Sequence, residues 1–105
     1  MEINEYQKLA SRTIVDLGEN AFKKHLENSA IGASCEASEV LQCVQRNIFC
    51  KKPLDTKHIV EECGDVLWYI SYLLTTLNVS LEYCMKENII KTESRYKERV
   101  LKSMG

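Results

Sequence analysis

Glu36-Ala37-Ser38-Glu39 and Glu62-Cys63-Gly64-Asp65 each set two carboxylates three residues apart. On a helix that spacing puts both groups on one face, with Cβ atoms about 5–6 Å apart. If the two segments are antiparallel neighbours, four acidic groups converge. Convergence is costly without a cation, because like charges and burial both raise carboxyl pKa values. A hard divalent ion removes the conflict, and all-oxygen ligation suits Mg²⁺ or Mn²⁺ rather than zinc or copper. A lone E-x-x-E is ordinarily a solvated acidic face. Two such pairs on successive helices, each embedded in apolar residues, argue for the ion. Their neighbours Ala37, Ser38, Cys63 and Gly64 are small, which lets helices approach closely. Gly64 inside a helix costs about 1 kcal/mol relative to Ala, so close packing or a nearby ligand is expected there. Glu61, about 100° round the helix from Glu62, faces solvent or caps the cluster.

Asn88, Lys91 and Arg95 recur at i, i+3 and i+7, with Tyr96 beside them. On one helix face they form either a surface charge stripe or a polyphosphate grip, Arg bidentate and Lys a point charge. Lys51 and Lys52 are weaker candidates for the same role. Trp68 and Tyr69 suit base stacking or core packing. His25 and His58 follow no ligand spacing, although His58 stands one turn before Glu62 and could support it.

Four helices are needed to position these groups. Tyr6, Leu9, Ala10, Thr13 and Leu17 predict a first helix over about 4–17, capped by Asn4 and stopped by Gly18. A short helical turn is expected around 21–26. A second helix is predicted from Asn28 or Ser29 to about Phe49, ahead of Pro53. The third opens on Asp55 or Thr56, with Thr56 preferred, and runs to about Asn78. Ser80 caps a fourth that ends near Arg99. After Asp65 the third helix is apolar almost all round. A helix covered on one side shows a polar face, so a second subunit is the expected cover. The chain reads as a single domain over residues 1–105 with no internal repeat.

Composition narrows the classes. With 45% hydrophobic and 28% charged residues the chain is neither disordered nor fibrous. A net charge of −1 provides no basic footprint for nucleic acid and no polybasic membrane patch. The stretch Val66 to Leu77 is too short to span a bilayer. The acidic start Met1-Glu2-Ile3-Asn4-Glu5 lacks the apolar core of a secretory signal. Five cysteines without a C-x-x-C pair argue against a zinc ribbon or a disulfide framework. They are expected to serve as small buried hydrophobes in a reducing cytoplasm.

At these residues the sequence resembles the MazG-like, all-α nucleoside triphosphate pyrophosphohydrolases. That family carries E-x-x-E on one helix and E-x-x-D on the next. Glu61 to Tyr69 resembles its "EELGDVLWY" run. Asn88 to Lys91, with Arg95-Tyr96, resembles its "N-x-x-K…RY" ending, and Tyr6 with Arg12-Thr13 fits its first helix. Where the family commonly reads "GLAGEAGE", residues 32–39 keep both carboxylates but change Leu and two Gly positions. That departure bears on pocket shape and substrate preference. The resemblance implies an all-α, four-helix-bundle-like fold assembling as a homodimer or homotetramer. It implies Mg²⁺-dependent cleavage of a nucleoside triphosphate between the α- and β-phosphates, with Mn²⁺ as a substitute ion. Glu36, Glu39, Glu62 and Asp65 become metal ligands, and Glu36, then Glu39, the candidate proton acceptor. Asn88, Lys91, Arg95, Tyr96 and Trp68 become substrate-binding residues.

Two rivals remain. A carboxylate-bridged di-iron protein is also a four-helix bundle, but it needs Glu-x-x-His pairs that this sequence lacks. A non-catalytic helical dimerisation module would explain the apolar third helix and leave the paired carboxylates idle.

Overall fold

The computed structural model describes residues 1–105 as four helices with no strand: α1 (Ile3–Ser11), α2 (Phe22–Cys50), α3 (Thr56–Thr76) and α4 (Leu81–Met104). The all-α class expected from the sequence holds, and the helix boundaries differ in instructive ways. α1 stops six residues before Leu17. Its end is drawn shut by Ser11 Oγ donating to the Lys8 carbonyl and Thr13 Oγ1 to the Ala10 carbonyl, both at 2.7 Å. The β-branched run Thr13-Ile14-Val15 disfavours a further turn. Asn4 is no cap, since Glu2 holds that position. Its amide donates instead to Glu82 on α4 at 2.8 Å.

The short turn and the second helix expected from the sequence are one continuous helix. Ser29 turns its hydroxyl back onto the His25 and Leu26 carbonyls at 2.7 and 3.0 Å. It is fully buried mid-helix and caps nothing. α2 ends at Lys51, which adopts a left-handed φ of 54°. Asp55, rather than Thr56, caps α3 by accepting from the His58 amide at 3.1 Å. Ser80 caps α4 through the Tyr83 amide at 3.0 Å, as its position predicts.

α2 and α3 form the body. Their pairings, His25 with Tyr72, Gly32 with Tyr69 and Glu36 with Glu62, step in opposite directions along the two chains, so the helices run antiparallel. Tyr69 lies directly on Gly32, where any Cβ would overlap the ring. α1 packs on α3 and on the start of α4. Gln7 fixes that corner: its amide donates to Thr75 Oγ1 and the Val79 carbonyl at 3.2 and 3.0 Å, and its Oε1 accepts from the Leu81 amide at 2.6 Å. Beyond this point α4 leaves the body, and every residue from Met85 to Gly105 is exposed.

The isolated chain is therefore extended. Its radius of gyration is 17.5 Å, against about 13 Å for a compact domain of this length. Its surface is 8309 Å², against roughly 6,000 Å² for a folded monomer of this mass. Only 8 of 105 residues are buried, too few for a self-sufficient core. No helix is long and apolar enough to cross a membrane.

Candidate active site

The α2–α3 packing brings three of the four expected carboxylates together. Glu36, Glu62 and Asp65 each place an oxygen within 4.8 Å of the others. Glu62 is buried and Glu36 half-buried, and an Oε2 of each is shielded from solvent with no hydrogen-bond partner. Such orphaned acceptors are costly. An all-oxygen donor set with two shielded, unsatisfied carboxylate oxygens fits a hard divalent cation.

Glu39 stands at the exposed rim of this group, beside Glu36 and Glu62. A hydrogen bond shared with the Glu62 carboxyl, reinforced by the charge on Glu62, holds Glu39 above the ordinary carboxylate range. His58 lies 3.6 Å from Glu62 and 3.9 Å from Glu61. Both distances allow charge attraction but are too long for hydrogen bonds. Tyr6 approaches from α1; burial, then the Asp65 charge, pushes its phenol above the usual value.

Next to Glu36 opens a cavity of about 430 Å³. Trp68, Tyr69 and Tyr72 form its α3 wall; Asn28, Ile31, Gly32 and Cys35 form its α2 wall. Val15 and Leu17 close the side that the early end of α1 releases. Trp68 is held by its indole N–H donating to Thr13 Oγ1 at 2.8 Å. Its ring meets Tyr69 and Tyr72 edge-on, with centroids 4.9 and 5.5 Å apart. Tyr72 is tied to His25 Nδ1, and burial raises its phenol pKa against a smaller lowering by the nearby Asn28 side chain. A polar cavity of about 400 Å³ at the Gln7 corner carries Lys8 but no carboxylate, so it lacks the chemistry of the acidic cluster.

Sequence reasoning singled out the carboxylates, Trp68 and Tyr69 but missed most of the cavity. Gly32 and Asn28 lie one and two turns before Glu36 on the same face, and Tyr72 lies one turn after Trp68. Extending both faces by a turn or two would have found them. Val15 and Leu17 carried no such signal, because they were assigned to helix.

The other expected groups do not reach the cluster within one chain. Asn88, Lys91, Arg95 and Tyr96 all lie on the exposed length of α4, and neither Lys91 nor Arg95 pairs with any carboxylate. Lys51 is fifteen residues along α2 from Glu36, about 22 Å on a straight helix. Two further expectations need correction. Cys35, Cys50 and Cys63 are exposed rather than buried, and all five thiols are free. Gly64 has nothing within 4 Å of where its Cβ would stand, so packing inside the chain does not explain it.

Among known families, the MazG nucleotide pyrophosphohydrolase domain matches residues 27–100, which span both carboxylate pairs and most of α4. The chain belongs to this family. It is also similar to the Gene 37 protein of Mycobacterium phage L5, 28% identical over 111 residues that cover 100% of this chain and 97% of that protein. No solved structure matches the chain.

Proposed function

We propose that this MazG-family chain is a single domain over residues 1–105 that hydrolyses a nucleoside triphosphate, NTP or dNTP, to the monophosphate and pyrophosphate with Mg²⁺. The observation that carries this reading is the pair of orphaned oxygens on Glu36 and Glu62, with Glu36 also lining the aromatic cavity. Glu36, Glu39, Glu62 and Asp65 hold the cation, with Mn²⁺ a workable substitute. When bound, the ion neutralises phosphate charge and makes a water molecule more acidic.

The chain's own groups supply the rest. Trp68 and Tyr69 stack the base, and the Asn28 amide offers both a donor and an acceptor to its edge. Glu36 Oε, or failing it Glu39 Oε at the solvent-facing rim, accepts the proton of the attacking water. Lys91 and Arg95, with Asn88 and Tyr96 beside them, stabilise the departing pyrophosphate. The large exposed surface supports a homodimer or homotetramer. Five free thiols suit a cytoplasmic setting.

Pyrophosphate release from a panel of common and modified NTPs, dNTPs and alarmone-type nucleotides tests the reading. Release is expected with Mg²⁺ and is lost with chelator. A chain inert toward the whole panel, yet assembled in sedimentation, would instead be the helical dimerisation module.

A further inference from the structure

The chain has two histidines, and only one of them stands at the carboxylate cluster. His25 is tied to Tyr72 in the cavity wall. His58 sits in the first turn of α3, whose start Asp55 fixes by accepting from the His58 amide. Its ring lies between two carboxylates of the same helix. Nε2 is 3.6 Å from Glu62 Oε1, and Nδ1 is 3.9 Å from Glu61 Oε2. Glu62 is only 8% exposed, and its other oxygen is shielded and unpartnered. Glu39 comes in from α2: its carboxyl shares a hydrogen bond with Glu62 and feels the charge of His58.

A surface His–Glu pair one turn apart is ordinarily a weak ion pair. This one has the dimensions of a shared ion. Nitrogen and oxygen ligands bind a zinc-like ion at about 2.0–2.2 Å, so two of them at roughly 90–120° stand roughly 2.8–3.8 Å apart. The Nε2–Oε1 gap falls in that range and exceeds hydrogen-bonding distance. Glu61 beside Nδ1 supplies the carboxylate–histidine arrangement that orients a metal-bound imidazole. Four residues along a helix is also a spacing at which paired ligands grip one ion. We propose that His58 Nε2, Glu62 Oε1 and Glu39 form a rim position for a divalent transition ion such as Mn²⁺ or Zn²⁺, beside the all-oxygen position of Glu36, Glu62 and Asp65. This rests on reading these carboxylates as the metal site of the pyrophosphohydrolase, and it adds a nitrogen ligand with its own selectivity. Imidazole nitrogen favours borderline transition ions, whereas Mg²⁺ keeps to oxygen. The two positions therefore differ in what they hold: the all-oxygen side suits Mg²⁺, and the rim discriminates against it.

Two measurements on the full chain, loaded with one cation and no nucleotide, test the proposal. In the first, electron spin-echo spectroscopy reads nitrogen coupling to bound Mn²⁺. Wild type at saturating Mn²⁺ should show a directly coordinated nitrogen whose modulation changes when the histidines are ¹⁵N-labelled. His58→Gln should lose it and His25→Gln should keep it. Mn²⁺ that binds without nitrogen coupling overturns the proposal and leaves the carboxylate site standing, as does a coupling that survives in His58→Gln. In the second, calorimetry compares Mn²⁺ with Mg²⁺. His58→Gln should weaken one class of Mn²⁺ site by more than the roughly tenfold that loss of an outer partner costs. Mg²⁺ binding should change by less than about twofold. Unchanged Mn²⁺ binding overturns the proposal, and so does an equal loss for both ions, which would mean that His58 only steadies Glu62. If neither cation binds wild type, the carboxylate site itself fails and the rim position with it. A chain that shows the nitrogen coupling yet releases no pyrophosphate keeps the proposal and loses the hydrolase reading.

Discussion

The α2–α3 body and the α4 arm are helices of similar length with opposite means of support. In the body, Tyr72 and Ser71 are buried, Tyr69 lies on Gly32, and the site carboxylates sit where packing puts them. Along the arm nothing beyond Cys84 is covered, and its charges from Glu87 onward form no ion pair. The body derives its geometry from contacts within one chain. The arm has a cap at Ser80 and a clamp at Gln7, then relies on helix propensity. A solvated helix of 24 residues with this many apolar side chains is left largely uncovered by its own chain.

The largest expected effect falls on the body. Glu39→Gln or Asp65→Asn should lower turnover by about a hundredfold or more, since each removes a charge from the ion's ligand set. Circular dichroism should show the helices unchanged. Near-normal rates with Mg²⁺ would remove the site assignment.

Mg²⁺ should stabilise the body and leave the arm to follow. At a hundred times its Kd, an ion that binds only the folded state contributes about 2.7 kcal/mol. For a chain of this size that is roughly 10–20 °C in melting temperature. Glu39→Gln should shrink the shift, and metal-free Glu39→Gln should melt above metal-free wild type because one repelling charge is gone. Identical melts in Mg²⁺ and chelator at constant ionic strength would exclude the converging-carboxylate picture.

Gln7→Leu tests the joint between the two regions. It strips partners from the Leu81 amide and the Val79 carbonyl, a loss of about 1–3 kcal/mol. Amide exchange should rise in the first turn of α4 and stay unchanged in the middle of α3. Uniform loosening of both would mean that the arm is not separately supported.

Gly64→Ala sharpens the contrast further, because its sign reports what lies outside the body. In an isolated chain Ala should stabilise α3 by about 1 kcal/mol, since nothing obstructs the Cβ. Against a partner helix it should weaken association, visible by sedimentation as a raised dissociation constant.

The smallest effect expected is a pH dependence of the metal-free fold. Glu39 is raised in the folded state by the hydrogen bond it shares with Glu62 and by the Glu62 charge. Its contribution to stability is present in full below the ordinary Glu range and is lost as pH rises through the raised folded value. Melts of metal-free protein should therefore fall as pH rises toward neutral, and Glu39→Gln should flatten that slope.

Much of this was legible in the sequence. Three-residue spacing placed each carboxylate pair on one face, and the breaker at Pro53 with the cap before Thr56 made neighbours of the two helices that carry them. Those features are local, set by helical period and by caps. What the tertiary structure decided depends on contacts between distant residues. Thr13 accepts the Trp68 indole, which ties the segment after α1 to α3, and Val15 and Leu17 become cavity wall. Ser29 turns inward rather than capping, so α2 runs unbroken past the site. Gln7 aims α4 along α1, so Lys91 and Arg95, which share a helix face by spacing, stand apart from the carboxylates they were expected to serve. Spacing tells which residues share a face; only packing tells what that face meets, because the long-range contacts that aim a helix leave no period in the chain.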